Sequence, residues 1–487
     1  MLVHELMGGA DSDIAYIEGN KQFTYGDVKH AIEICRARLY SMGVRKGDRV
    51  AICAHNSTNF VFAYLGVVSL GAIVVPINFQ LSLREKAYIL RKAEVHYIFA
   101  EEYVDYDVEM PDYVGGIEFI NIAAAAVDSG APLVPAADVE EDAMAAIIFT
   151  SGTTGFPKGA VLSHKNIVSN ALQYRAILNL DNRNKVLCVL PLYHCFAFTC
   201  NIVGVLSCGA ATVMLSNFTP KETVNVIATQ GITTLFVVPS ICTLLTKFAQ
   251  KEDLASVTLV IIGGTALPIK VANDFKNKFD LEISEGYGLS ECSPVVSVNP
   301  PGKVKLGSVG LPLCETKVKT VRPDGSATET NETGELLILS PSVMLGYWQE
   351  PEETALTIEK DGWLHTGDVA KIDEDGYIYI VDRIKDMIIS MGENIYPREI
   401  EELVYHYDGI KEAAVIGVPD KLRGQAGCLF YTVQEGTNVD QRALKKYLRS
   451  NLATYKVPRE FREIEALPKT STGKIAKKVL AAMYEGE

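Results

Sequence analysis

The sequence predicts an α/β protein. A large N-terminal domain would hold two α/β subdomains with parallel-type sheets and a small β-barrel-like subdomain. A small α+β domain would follow it. Three observations carry this expectation. Helical and buried-strand signals alternate through residues 23–280, short strands with turn signals dominate 302–382, and the charge balance changes at Arg383. Before Arg383 there are 29 Lys and Arg against 45 Asp and Glu; from Arg383 onward there are 17 against 15.

Element by element, FTYGDVKHAIEICRARLYSMGV has helical spacing, and RKGDRVAICAHN reads as loop, strand and turn. Residues 59–77 read as a helix ending near Gly71, then the buried strand AIVVPI. LSLREKAYILRKAEVHYIFAEE again runs from helix into strand. From 181 to 280 the pattern recurs: KVLCVLPLY as strand, a long apolar helix, then the strands ATVMLSN, ITTLFVVPS and TLVIIGG separated by helices. TKVKTVRPDGSATE, TGELLILSP and DGWLHTGDVAKIDEDGYIYIVD then form the β-rich part. Beyond it come the helix PREIEELVYHY, the strands EAAVIGVP and GCLFYTVQ, the helix VDQRALKKYLRSNL and a basic tail. The expected boundaries are 1–382 for the large domain, divided at about 1–180, 181–301 and 302–382, and 383–487 for the small α+β domain.

With 487 residues, 48% hydrophobic and 22% charged, the chain can bury a large core. A net charge of −14 gives no electrostatic reason to bind nucleic acid. The ten cysteines form no CxxC pair and the eight histidines no HExxH, so neither a zinc site nor a disulfide framework is indicated. Reduced thiols in a cytoplasmic protein are the expectation. MLVHELMGGADSD lacks the basic and apolar regions of a signal peptide. Phe60 to Ile77 is 18 mostly apolar residues, but Gly66, Ser69, Gly71 and Pro76 interrupt it, so no transmembrane segment is expected. Contact with a membrane surface and the oligomeric state stay open.

The most informative run is MAAIIFTSGTTGFPKGAVLSHKN, residues 144–166. An apolar strand leads into Thr150, Ser151, Gly152, Thr153, Thr154 and Gly155, with Lys158 shortly after. Glycines let backbone N–H groups turn inward, hydroxyls add donors and the lysine adds charge, which together make a cradle for phosphate oxygens. Lys158 is followed by Gly159 and Ala160, so the run does not fit the GxxxxGK[ST] loop of kinases and GTPases. The competing reading is a flexible surface turn.

TSGTTGFPKG strongly resembles the phosphate-loop signature of the adenylate-forming superfamily, which includes acyl-CoA synthetases, luciferases and adenylation modules. PLYHCFAF (191–198), GGTALP (263–268), EGYGLSE (285–291), TGD (366–368), DRIKDMIISMGENIYPREIE (382–401) and PKTSTGK (468–474) resemble further motifs of that family, in its order. The resemblance implies a two-step ligase using ATP, Mg²⁺ and CoA. A carboxylate attacks the α-phosphorus of ATP, and a thiol then displaces AMP. Catalysis by positioning and charge neutralisation is expected, because both first-step reactants are anions.

Matched residue by residue, Lys474 is implied as the catalytic lysine of the first step. Glu291 is implied as catalytic and as a Mg²⁺ ligand, with Thr153 as a second ligand. ATP and AMP would be contacted by Thr150 to Gly155, Lys158, Gly263, Gly264, Thr265, Ala266, Glu285, Gly286, Tyr287, Gly288 and Ser290. Tyr287 would lie against adenine, and Asp368 with Arg383 would hold the ribose. His194, Phe196 and Phe198 would wall the acyl pocket. Lys385 matches the hinge, and Gly392 and Glu393 lie in the CoA region. There the chain departs from the Lys–x–Gly–Gly pattern of many relatives, having Ile389, Met391 and a single glycine. Each of these residues also has a plainer reading as a core, turn or solvated side chain. Cys195, set among aromatics, is disfavoured as a nucleophile.

Amino-acid-activating relatives carry an Asp after the pocket motif, and a dicarboxylate would want an Arg. Between Pro191 and Ser216 there is no acidic residue and no Arg. The run suits a hydrocarbon or aryl acid. EGYGLSECSPVVSVNP looks most like fatty acyl-CoA synthetases of medium to long chain, with a coumarate-type aryl-acid ligase as the alternative. Handing the adenylate to a carrier protein, and a catalytically silent binding protein, are the competing classes.

Overall fold

The computed structural model describes residues 1–487 except 107, 114–115, 151–156, 392, 470–473 and 486–487. Two largely parallel sheets dominate. In the first, Glu118–Asn121, Tyr97–Ala100, Arg49–Cys53, Ile73–Pro76 and Met144–Thr150 run parallel. Lys158–Ser163 folds back antiparallel on Met144–Thr150, and Gly346–Tyr347 closes that edge. In the second sheet, Ile283–Gly288, Leu259–Ile262, Thr234–Val237, Lys185–Cys188, Ala211–Met214 and Ile14–Glu18 are parallel, with antiparallel strands at both edges. Strands such as Ile73–Pro76 and Thr234–Val237 are buried along their whole length, as expected of parallel strands covered on both faces.

Local sequence fixes the covering helices. Thr24 caps Tyr25–Ser41 by accepting from the Asp27 N–H while Asp27 reaches back to Thr24, and Ser82 and Glu85 repeat the device for Leu83–Lys92. Pro220 opens Pro220–Gln230 and Gly231, at φ +62°, ends it.

Three details differ from the sequence expectation. The sheets do not divide at residue 180: Ile14–Glu18 and Lys21–Thr24 join the second sheet, and Gly346–Tyr347 joins the first. Hydrogen-bonded register, which composition does not encode, decides this. The β-rich stretch is a linear antiparallel sheet of Lys317–Val321, Gly334–Leu339, Leu364–Ile372 and Ile378–Arg383; beside the second sheet, the Val309 N–H donates to the Ile378 carbonyl and the Ile378 N–H donates to the Gly310 carbonyl. The long apolar helix after Cys188 is a helical run from Cys195 to Ser207 whose middle, Phe198–Gly204, widens into π geometry.

The C-terminal part carries its own antiparallel sheet around Ile410–Asp420 and Gly424–Val433, with Glu460–Glu463 added in parallel. The Pro397–Tyr405 and Gln441–Asn451 helices pack over it on Ile400, Val404, Leu444 and Leu448. Among the described residues no helix is long and apolar enough to cross a membrane; Thr58–Ser69 ends before the Ile73–Pro76 strand begins.

Candidate active site

In open parallel sheets, ligands bind beyond the carboxyl ends of the strands. A cleft of about 1400 Å³ opens at that place for both sheets at once. Thr150 ends its strand there, Gly263 and Gly264 follow Leu259–Ile262, His194 follows Lys185–Cys188, and Gly286 to Glu291 continue from Ile283–Gly288. Gly288 is required by close approach, since a Cβ there would sit 2.2 Å from the Pro294 carbonyl oxygen. The rim comes from later in the chain: Asp368, Arg383, Lys385 and Lys474.

Asp368 is held by two neighbours. Its Oδ1 lies 3.1 Å from the Arg383 Nε, and its Oδ2 accepts the Tyr287 hydroxyl. Its carboxylate is 5% exposed. Tyr287 therefore spends its hydroxyl on orienting Asp368 while its ring lines the cleft. Lys474 reaches the same space from the C-terminal part, where Lys469 pairs with Ile475 around it. Burial, then the neighbouring Arg383, lower its pKa. The cleft thus gathers Lys474, Arg383 and Lys385, and an anionic ligand relieves their mutual repulsion.

Glu291 accepts the Tyr347 hydroxyl through Oε1 at 2.8 Å. Tyr347 was not anticipated from the sequence; the pairing of Gly346–Tyr347 with Val161 and Ala160 brings it in. Its ring lies under the Lys158 ammonium at 5.5 Å. Lys158 itself lines the cleft but is paired with Glu353, also unanticipated, so its charge is already partly answered.

Behind this charged rim is an uncharged recess. Phe196 meets Phe236 edge-on at 6.0 Å, and Phe236 meets Tyr174 at 6.3 Å. The Tyr174 hydroxyl donates to the Cys200 carbonyl at 2.8 Å. His194 accepts the Phe196 N–H through Nδ1, and burial followed by Lys474 pulls its pKa down to about 4. It is neutral at pH 7 and adds no charge to the recess. Burial pushes the Cys195 thiol up to about 11. That agrees with its dismissal as a nucleophile.

The expected residues separate into groups. Thr150, Lys158, His194, Phe196, Gly263, Gly264, Gly286, Tyr287, Gly288, Ser290, Glu291, Asp368, Arg383, Lys385 and Lys474 meet in the cleft. Phe198 does not: it is fully buried and stacks on Tyr64 at 4.0 Å, because residues two apart on a helical turn face different ways. Thr265 and Ala266 stand on the turn outside the lining, Ala266 exposed. Glu393 begins the exposed hairpin strand Glu393–Ile395, away from the cleft. Ser151, Gly152, Thr153, Thr154, Gly155 and Gly392 lie outside the described residues.

Glu285 also leaves the expected role. It is 3% exposed, and its Oε1 accepts the Leu267 N–H at 3.0 Å, pinning the 263–268 turn from beneath. Burial pushes its carboxyl up to about 7 from 4.5. The folded state therefore holds this proton more tightly than the unfolded chain. The associated stability is complete below pH 4.5 and is lost as pH rises through about 7. Glu285→Gln keeps the carbonyl acceptor and removes the titration. We expect it to flatten the decline in unfolding temperature between pH 5 and pH 8, measured calorimetrically, and to be the more stable form at the alkaline end.

Comparison with known proteins agrees with this architecture. The family described as "AMP-binding enzyme" matches residues 8–348, and "AMP-binding enzyme C-terminal domain" matches 399–474. A feruloyl-CoA synthase from Amycolatopsis sp is 33% identical over 463 residues, covering 94% of this chain and 93% of the relative. A long-chain-fatty-acid–CoA ligase from Bacillus subtilis (strain 168) is 34% identical over 504 residues, covering 94% and 90%. The crystal structure of ATP-bound MatB from Rhodopseudomonas palustris superposes with a TM-score of 0.94 at 28% identity, covering 100% and 99% of the two chains. This chain belongs to the AMP-binding enzyme family, as a CoA ligase that works through an acyl-adenylate.

Proposed function

We propose that this chain is a cytoplasmic, ATP-dependent acid–thiol ligase that converts a fatty acid of medium to long chain to its acyl-CoA. The observation that carries the reading is a single cleft, cationic at its rim and uncharged in its recess. In the first step a carboxylate oxygen attacks the α-phosphorus of ATP and pyrophosphate leaves. In the second the CoA thiol attacks the acyl carbon, its proton goes to solvent and AMP leaves.

Lys474 lies where it can answer the charge of both first-step anions, and Asp368, held by Tyr287 and Arg383, is oriented for ribose hydroxyls. Glu291, oriented by Tyr347, fits Mg²⁺, which takes only one or two protein oxygens beside phosphate. Bound there, Mg²⁺ draws charge from the phosphate oxygens. His194 and Phe196 wall off the acyl group, and Phe236, Cys200 and Tyr174 continue the recess. For the second step the segment beyond Lys385 would turn and bring the 388–395 hairpin, with Gly392 and Glu393, toward the cleft. That motion assigns 383–487 as a separate lid on 1–382.

An aryl acid is the second reading, favoured by the three rings Phe196, Phe236 and Tyr174 in edge-on series. The deciding experiment is acid-dependent ATP–pyrophosphate exchange, then thioester formation, with purified protein and acids from acetate to stearate, plus coumarate and benzoate. The highest kcat/KM is expected with medium- or long-chain acids; a maximum at coumarate would transfer the assignment to aryl acids. Tyr174 would form the floor of the recess, so Tyr174→Leu should move the preferred length upward, read as the stearate-to-octanoate ratio of kcat/KM. The same change should lower the unfolding temperature, since a fully buried ring is lost.

A further inference from the structure

The Ile269–Phe279 helix lacks a cap of its own. Its preceding residue is Pro268, no local side chain bonds its first turn, and that turn holds no acidic residue. The missing acceptor comes from 133 residues away: Glu402 Oε1 takes the Ile269 N–H at 3.0 Å. Two residues earlier the Leu267 N–H is held by Glu285. Two carboxylates, one from each part of the chain, thus fasten the turn whose Gly263 and Gly264 wall the cleft.

Glu402 sits on the Pro397–Tyr405 helix, which is fastened at other points as well. At its start Arg398 donates its N–H to Asp382 Oδ2 at 2.9 Å and a guanidinium N–H to the Ile380 carbonyl at 2.7 Å, next to Ile384–Asp386. One residue before Glu402, Glu401 pairs with Lys477 at 2.8 Å, three positions from Lys474. A turn about Lys385 would leave the Glu401–Lys477 pair intact, since both residues lie beyond it, and would part Glu402 from Ile269. One helix therefore links the nucleotide-facing turn to the segment that carries Lys474.

We propose that Glu402 is a positioning residue for the adenylate-forming step alone, latching the C-terminal part onto the 263–269 turn while Lys474 occupies the cleft. This rests on the two-step reading above. The latch biases an equilibrium between two arrangements, so removing it favours the other.

Glu402→Ala is expected to lower acid-dependent ATP–pyrophosphate exchange about tenfold, the loss set by one hydrogen bond to a charged acceptor. Thioester formation from supplied acyl-adenylate and CoA should be unchanged or faster. Glu402→Gln, which keeps an oxygen acceptor, should restore most of the exchange. Equal losses in both steps, or undiminished exchange in Glu402→Ala, would overturn the assignment. Hydrogen exchange at the Ile269 amide reads the contact independently of activity. It should quicken in Glu402→Ala, and unaltered protection counts against the latch. A wild-type protein silent in pyrophosphate exchange with every acid would defeat the two-step reading instead.

Discussion

Replacing Lys474 with Ala is expected to cut acid-dependent pyrophosphate exchange by about 10²–10³-fold while largely sparing thioester formation from supplied acyl-adenylate and CoA. The size follows from the task. Two anions must meet in the first step, and among the C-terminal lysines that line the cleft Lys474 is the one whose charge is felt by both Asp368 and His194. Burial and the neighbouring Arg383 lower the pKa of Lys474, so added negative charge favours its ammonium form, and its influence is concentrated on the step in which that charge builds up. In the second step an uncharged thioester is made and the adenylate's phosphate departs with AMP, so the same ammonium has less to stabilise. Measuring both half-reactions on one preparation separates these cases. Equal losses would mean that Lys474 supports the fold or binding in general.

How much of this was legible in the sequence depends on the range of the interactions. The ends of Met144–Thr150 and Ile283–Gly288 were readable, because glycine and hydroxyl residues following an apolar strand have a local physical meaning. Lys474, Glu291 and Asp368 were recognised by motif and do converge in one cleft. Tyr347, Glu353 and Glu402 were not readable. Each acts on a partner 56 or more positions away, and only the register of an edge strand or the docking of a helix supplies the pairing. Phe198 was expected in the pocket wall with Phe196, but two positions along a helical run turn its ring the other way, onto Tyr64. Glu285 was expected among the ATP and AMP contacts, but its carboxyl is engaged by the backbone of the neighbouring turn.

Lys385→Pro should give the inverse of the Lys474 result: adenylate formation retained within a few fold, and thioester formation from supplied acyl-adenylate nearly abolished. Lys385 lies in the single 3-10 turn Ile384–Asp386, and it is not among the residues with positive φ, so this arrangement can accept a proline ring. The modest cost to the first step comes from Ile384, which a following proline pushes toward extended geometry. The second step, as proposed, needs this same residue to absorb a large φ/ψ change so that the 388–395 hairpin replaces Lys474 at the cleft. A fixed φ removes that freedom. Lys385→Ala is the control: it deletes the ammonium and keeps the backbone free, so it should retain thioester formation. Rapid-quench measurement of both half-reactions in the two variants decides the matter. A proline variant that still makes thioester at the wild-type rate would place the turning point elsewhere in the chain, and an alanine variant as impaired as the proline one would show that the charge of Lys385, and not its backbone, serves the second step.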